Sequence, residues 1–77
     1  MDRVLRQSVA EIIKCIRKQK QLSQEELAEL ASLDRTYISG IERGTRNITL
    51  DSLESVILAL SVSNEEFLHA VIKNLHK

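Results

Sequence analysis

The chain has 77 residues, and its 11 Lys and Arg balance 11 Asp and Glu, so composition supplies no net positive charge for bulk attraction to nucleic acid or anionic membrane. A single domain of this length buries only about 60% of the surface its unfolded chain exposes, which makes self-association useful for stability. With no proline, two glycines, scarce aromatics, no apolar signal core in MDRVLRQS and no apolar run longer than residues 56–60, we expect a soluble, cytoplasmic, all-α protein with an aliphatic core and no membrane partner.

Val4, Leu5, Val9, Ile12, Ile13 and Ile16 recur at helical spacing and predict a first amphipathic helix over about residues 3–19. Cys15 lies within it; a lone cysteine can form neither an internal disulfide nor a metal site, and we expect a small, partly buried helix residue. Leu22 enters the core, and Ser23 with Glu26 three positions later reads as a capping box that opens a second helix, from Gln24 to near Ala31. Ser32 and Leu33 form a tight turn, Asp34 is placed to cap a third helix of about nine residues, and Gly44 to end it in a left-handed conformation. A polar loop over residues 45–48 follows. Thr49 then caps a fourth helix bearing Leu50, Leu53, Val56, Ile57 and Leu60, with Asp51 in its first turn. Ser63 and Glu66 repeat the capping box before a fifth helix, about residues 64–75, that carries Phe67, Leu68, Val71, Ile72 and Leu75.

Two short helices joined by a corner this tight make a helix-turn-helix over about residues 24–43. Leu27, Ala28, Ala31, Leu33, Ile38 and Ile41 point inward, while Gln24, Arg35, Thr36, Ser39 and Arg43 are left outside. A polar, cationic second helix is what reading base edges in a major groove requires. The charge distribution agrees despite the zero sum. Lys14, Arg17, Lys18 and Lys20 form an acid-free run, Arg35, Arg43 and Arg46 surround the third helix, and many acids sit in first turns of helices, where the helix dipole favours them.

The five helices, with QEELA, a tight turn, ISGIERG and a TLDSLE opening the next helix, resemble the lambda-repressor-like (XRE-type) DNA-binding domains over nearly the whole chain. Within that superfamily LDRTYISGIERGTRNITLDSLE most resembles the controller proteins of bacterial restriction-modification systems. The resemblance implies a single compact five-helix domain over residues 1–77. It also implies a homodimer that binds double-stranded DNA at a two-fold operator, activating and later repressing its own promoter and so timing the endonuclease. One departure is Ser32, where the motif often has glycine at a residue that wants positive φ; serine there costs of order 1 kcal/mol.

Arg35 and Thr36, at the start of the third helix, are expected to contact bases, with Ser39 one turn on and Tyr37 between the DNA-facing and core-facing sides. Gln24, Arg43, Arg46, Asn47 and Thr49 are expected on the DNA backbone. Turn and cap chemistry accounts equally well for Asn47 and Thr49. Gly40, costly inside a helix by about 1 kcal/mol, points to a close neighbour, whether DNA or protein. By resemblance Arg17 and Glu42 match a partly buried ion pair that ties the first helix to the third, and Glu25 and Glu29 match an acidic patch that touches RNA polymerase. Solvated acids in a helix's first turns are the alternative for the latter pair. The apolar stripe of the fifth helix is wider than one core contact can use, so Phe67, Leu68, Val71, Ile72 and Leu75 are expected at a dimer seam. His69 and His76 have no predicted catalytic partner, so no catalysis is expected, and no metal, cofactor or small-molecule ligand. Two alternatives on the same fold are an antitoxin-like or bridging interaction module and a phage-type repressor.

Overall fold

In the computed structural model, which describes residues 4–77, the chain forms five helices: α1 (Val4–Gln19), α2 (Gln24–Ala31), α3 (Arg35–Glu42), α4 (Leu50–Ala59) and α5 (Asn64–Leu75). The start anticipated for α1 at residue 3 lies outside the described residues. Both capping boxes form: Ser23 accepts from the Glu26 amide at 3.0 Å while the Glu26 carboxylate accepts from the Ser23 amide at 2.8 Å, and Ser63 with Glu66 does the same at 3.0 Å in each direction. Thr49 caps α4 by accepting from the Ser52 amide at 3.0 Å. Asp34 occupies the N-cap position of α3, but its side chain makes no capping hydrogen bond, contrary to expectation.

The C-terminal ends of α1 to α4 share one device. Gln21, Ser32, Gly44 and Ser61 all adopt positive φ, between 57° and 75°. After α2, the Leu33 amide reaches back to the Ala28 carbonyl at 2.8 Å, so an otherwise orphaned carbonyl is satisfied at the αL corner. Ser32 therefore takes the left-handed conformation the motif demands, without glycine's freedom.

One core holds the helices together. Phe67, Ile13, Leu27, Ile38, Leu60 and Val56 are its largest fully buried side chains. α2 packs on α3 and α4, and α1 packs on α3 and α5. No single helix among the described residues is long and apolar enough to cross a membrane.

Several side chains depart from the sequence reading. Cys15 is exposed, not partly buried, because it falls on the outer side of α1. Val4, Leu5 and Leu50 continue helical stripes past the point where the core ends, and are 52%, 63% and 84% exposed. Phe67 and Val71, expected at a dimer seam, are instead buried in the chain's own core, because they sit on the face of α5 that rests on α1. Leu68, Ile72 and Leu75 alone of that stripe remain half-exposed.

Candidate nucleic-acid interface

α3 is only eight residues long, and its orientation is set from below. Arg17 of α1 is buried, and its guanidinium donates through Nε to Glu42 Oε2 at 2.7 Å and through Nη2 to Glu42 Oε1 at 3.0 Å. Its third arm, Nη1, donates to the Leu22 carbonyl at 2.7 Å. With the two side chains 10% and 2% exposed, this bidentate pair is a desolvated tie between α1 and the end of α3. The expected ion pair is present.

Above that anchor, Arg35 and Thr36 stand exposed at the N-terminal end of α3, and among the described residues no side-chain hydrogen bond occupies them. Tyr37 is half-buried: its ring packs on the edge of the core and its hydroxyl donates to the Asn47 carbonyl at 3.3 Å. Ser39, one turn beyond Arg35, accepts from Arg43 Nη1 at 2.6 Å. In the free protein its hydroxyl is thus held by the chain itself.

The loop between α3 and α4 is organised by α3. The Arg46 guanidinium lies over the Tyr37 ring, 5.5 Å from its centroid, in cation–π range. Its aliphatic stem runs across Gly40, where a Cβ would come within 2.6 Å of Arg46 Cγ. A close protein neighbour therefore accounts for Gly40, without calling on DNA. The Thr45 and Arg46 amides both donate to the Gly40 carbonyl, at 3.0 and 3.2 Å.

Of the residues expected on the DNA backbone, Arg43, Arg46, Asn47 and Thr49 belong to the segment that leads out of α3 and into α4. Thr49 is engaged as a cap, and Asn47 Oδ1 accepts from Arg6 Nη2 of α1. Gln24, at the first position of α2, turns its amide inward and donates to Glu42 Oε1 at 3.1 Å. Its side chain thus continues the Arg17–Glu42 network. Glu25 and Glu29 are exposed on α2, one turn apart.

Sequence reasoning missed Arg6, whose partner is 41 residues away. It also missed a second polar cluster behind the site, in which Asn74 Nδ2 donates to Ser8 Oγ at 2.9 Å and to Glu11 Oε1 at 2.8 Å. Nothing in local spacing signals such pairs, since they exist only once α1 is packed.

A helix-turn-helix family model matches residues 13–67. Control protein C.BamHI of Bacillus amyloliquefaciens is 53% identical over 47 residues, which are 61% of this chain and 58% of that protein. Control protein C.SmaI of Serratia marcescens is 42% identical over 59 residues, 77% of this chain and 70% of that one. Among solved structures, the restriction-modification controller protein C.Esp1396I, a tetramer in complex with its natural 35 base-pair operator, superposes with a TM-score of 0.93 at 45% identity and 100% coverage of both chains.

Proposed function

Because the chain belongs to the helix-turn-helix family and, within it, to the restriction-modification controllers, we propose that it is a sequence-specific, dimeric DNA-binding regulator of transcription. It acts in the bacterial cytoplasm, on its own promoter and that of the accompanying endonuclease. The observation that carries this reading is the state of α3: a short helix pinned at its C-terminal end by a buried bidentate ion pair while Arg35 and Thr36 stand exposed at the other. A preorganised helix with an exposed arginine near its N-terminus has what bidentate recognition of guanine requires.

Arg35 and Thr36 contact bases, and Tyr37 and Ser39 do so after exchanging their internal partners for DNA. Arg43 and Arg46, with the free amides at the start of α2, hold phosphates. Leu68, Ile72 and Leu75 supply the seam that joins two copies, because a single helix-turn-helix spans too few base pairs for specificity, whereas a two-fold pair reads half-sites about one helical turn apart. C.Esp1396I is a tetramer on its operator, and two dimers filling adjacent sites would make the response of this chain steep in its own concentration.

The test is a gel-shift series on DNA from upstream of the gene against a scrambled duplex, with sedimentation of the wild type and of Ile72→Glu. Specific, salt-dependent binding by a dimer that Ile72→Glu dissociates is expected. Equal binding to both duplexes, or a wild type that is monomeric at micromolar concentration and on its operator, would reject the reading.

A further inference from the structure

The fifth helix carries two rows of side chains one residue out of step. Phe67, Val71 and Asn74 recur at i, i+4 and i+7, and so do Leu68, Ile72 and Leu75, about 100° further round the helix. The first row faces α1 and the second is half-exposed. Apolar burial alone discriminates poorly between them, since it is non-directional and the outer row is as greasy as the inner. The inner row differs in ending on a polar residue. Asn74 donates to Ser8 Oγ at 2.9 Å and to Glu11 Oε1 at 2.8 Å, and Ser8, only 3% exposed, donates in turn to the Val71 carbonyl at 3.4 Å. Turning α5 to bury the other row would strand the Ser8 hydroxyl in an apolar interface.

The same helix, α1, carries both buried polar residues of the domain that are described, Ser8 and Arg17. They lie nine residues apart, about 13 Å along the helix. Arg17 fastens the helix that would read DNA, and Ser8 fastens the helix that would join two copies. α3 and α5 share no substantial contact of their own, α5 rests mainly on α1 and only lightly on α4, and so α1 is the strut through which the two are held at a defined angle.

From this geometry we propose that Asn74, with Ser8 and Glu11, is a positioning cluster that fixes the rotation of α5 on α1 and thereby sets the spacing of the two half-sites the dimer accepts. The proposal rests on the dimeric DNA-binding reading above. Hydrogen bonds are directional where apolar contact is not, so loss of the cluster leaves α5 attached but free to swivel, and the distance between the two recognition helices becomes adjustable.

The test titrates three duplexes by gel shift: the operator footprinted upstream of the gene, and the same operator with one base pair inserted or removed between half-sites. The wild type should lose about tenfold or more in affinity on the altered spacings, as for other single defects in a site, while Asn74→Leu and Glu11→Ala should lose less than about threefold. Glu11→Gln retains an oxygen to accept from Asn74 and should behave as wild type. Glu11 is exposed, so its truncation keeps the test available if Asn74→Leu fails to fold. A dimeric Glu11→Ala or Asn74→Leu that keeps the full spacing penalty overturns the proposal, as does a wild-type dimer indifferent to spacing. A wild type that sediments as a monomer and shifts as one overturns the dimeric reading instead.

Discussion

Arg35 and Glu42 sit at the two ends of one eight-residue helix and face opposite physical problems. Arg35 is exposed and has no side-chain partner among the described residues, so Arg35→Ala should leave the fold intact and weaken operator binding by about 1–3 kcal/mol, roughly 5- to 150-fold, with relaxed selectivity at one base. A gel-shift series over single-base operator variants checks this; unchanged affinity on every variant would remove Arg35 from the interface. The Glu42 side chain is 2% exposed and neutralises a buried guanidinium, so Glu42→Ala should cost about 3–5 kcal/mol of folding stability, a large part of what a small domain has. Denaturant unfolding measures it, and replacing both partners, as Arg17→Met with Glu42→Leu, should recover much of the loss because no charge is left stranded. Gly40 teaches a similar lesson at smaller scale: the absent Cβ makes room for the Arg46 stem, which holds the arginine over Tyr37.

At the scale of the element, the helices are defined by their ends more than by their lengths. α2 and α5 both begin with reciprocal capping boxes, and the second has left an electrostatic mark: hydrogen bonds from the Ser63 backbone and hydroxyl hold the Glu66 carboxyl below its ordinary range, helped slightly by Lys20. A carboxylate whose folded pKa lies below the unfolded value contributes stability in full above the unfolded value and loses it as pH falls through the folded one. The start of α5 should therefore stay capped down to below about pH 4.3, the usual glutamate value, and then fray. An NMR titration of the Ser63 amide should show a midpoint below that range, and a midpoint at or above it would contradict the capping role. The C-terminal ends of α1 to α4 depend on a conformation that only Gly44 adopts freely, while Gln21, Ser32 and Ser61 bear its strain.

For the whole molecule, zero net charge means that, on the proposed reading, a few placed arginines and not a general basic field would supply the attraction to DNA. It also leaves acidic surface available for another partner. Glu25 and Glu29 are exposed on α2, on the same short helix whose N-terminus borders the proposed DNA surface. If they contact RNA polymerase, Glu25→Lys should abolish activation in a promoter reporter while leaving operator affinity within about twofold, since a surface charge change away from any buried partner rarely disturbs the fold. Retained activation would dismiss the patch. The two buried polar ties on α1 matter most at this scale, because they join surfaces that do not touch each other.

The five helices, their order and most of their caps were legible in the residues, because capping boxes, helical periodicity and a two-residue corner are local signals that need no partner. So was the division of α3 into a buried row, Ile38 and Ile41, and an open N-terminal end, Arg35 and Thr36. The ion pair between Arg17 and Glu42 was legible only through resemblance, since 25 residues separate its members. What the tertiary structure alone decided was how contested side chains are used. Phe67 and Val71 went to the core while Leu68 and Ile72 stayed outside, Gln24 turned inward to Glu42, and Asn74 found Ser8 and Glu11. A helical stripe specifies a face but not the rotation at which that face is seated. That choice belongs to directional contacts between residues far apart in the chain, which exist only after the helices have packed.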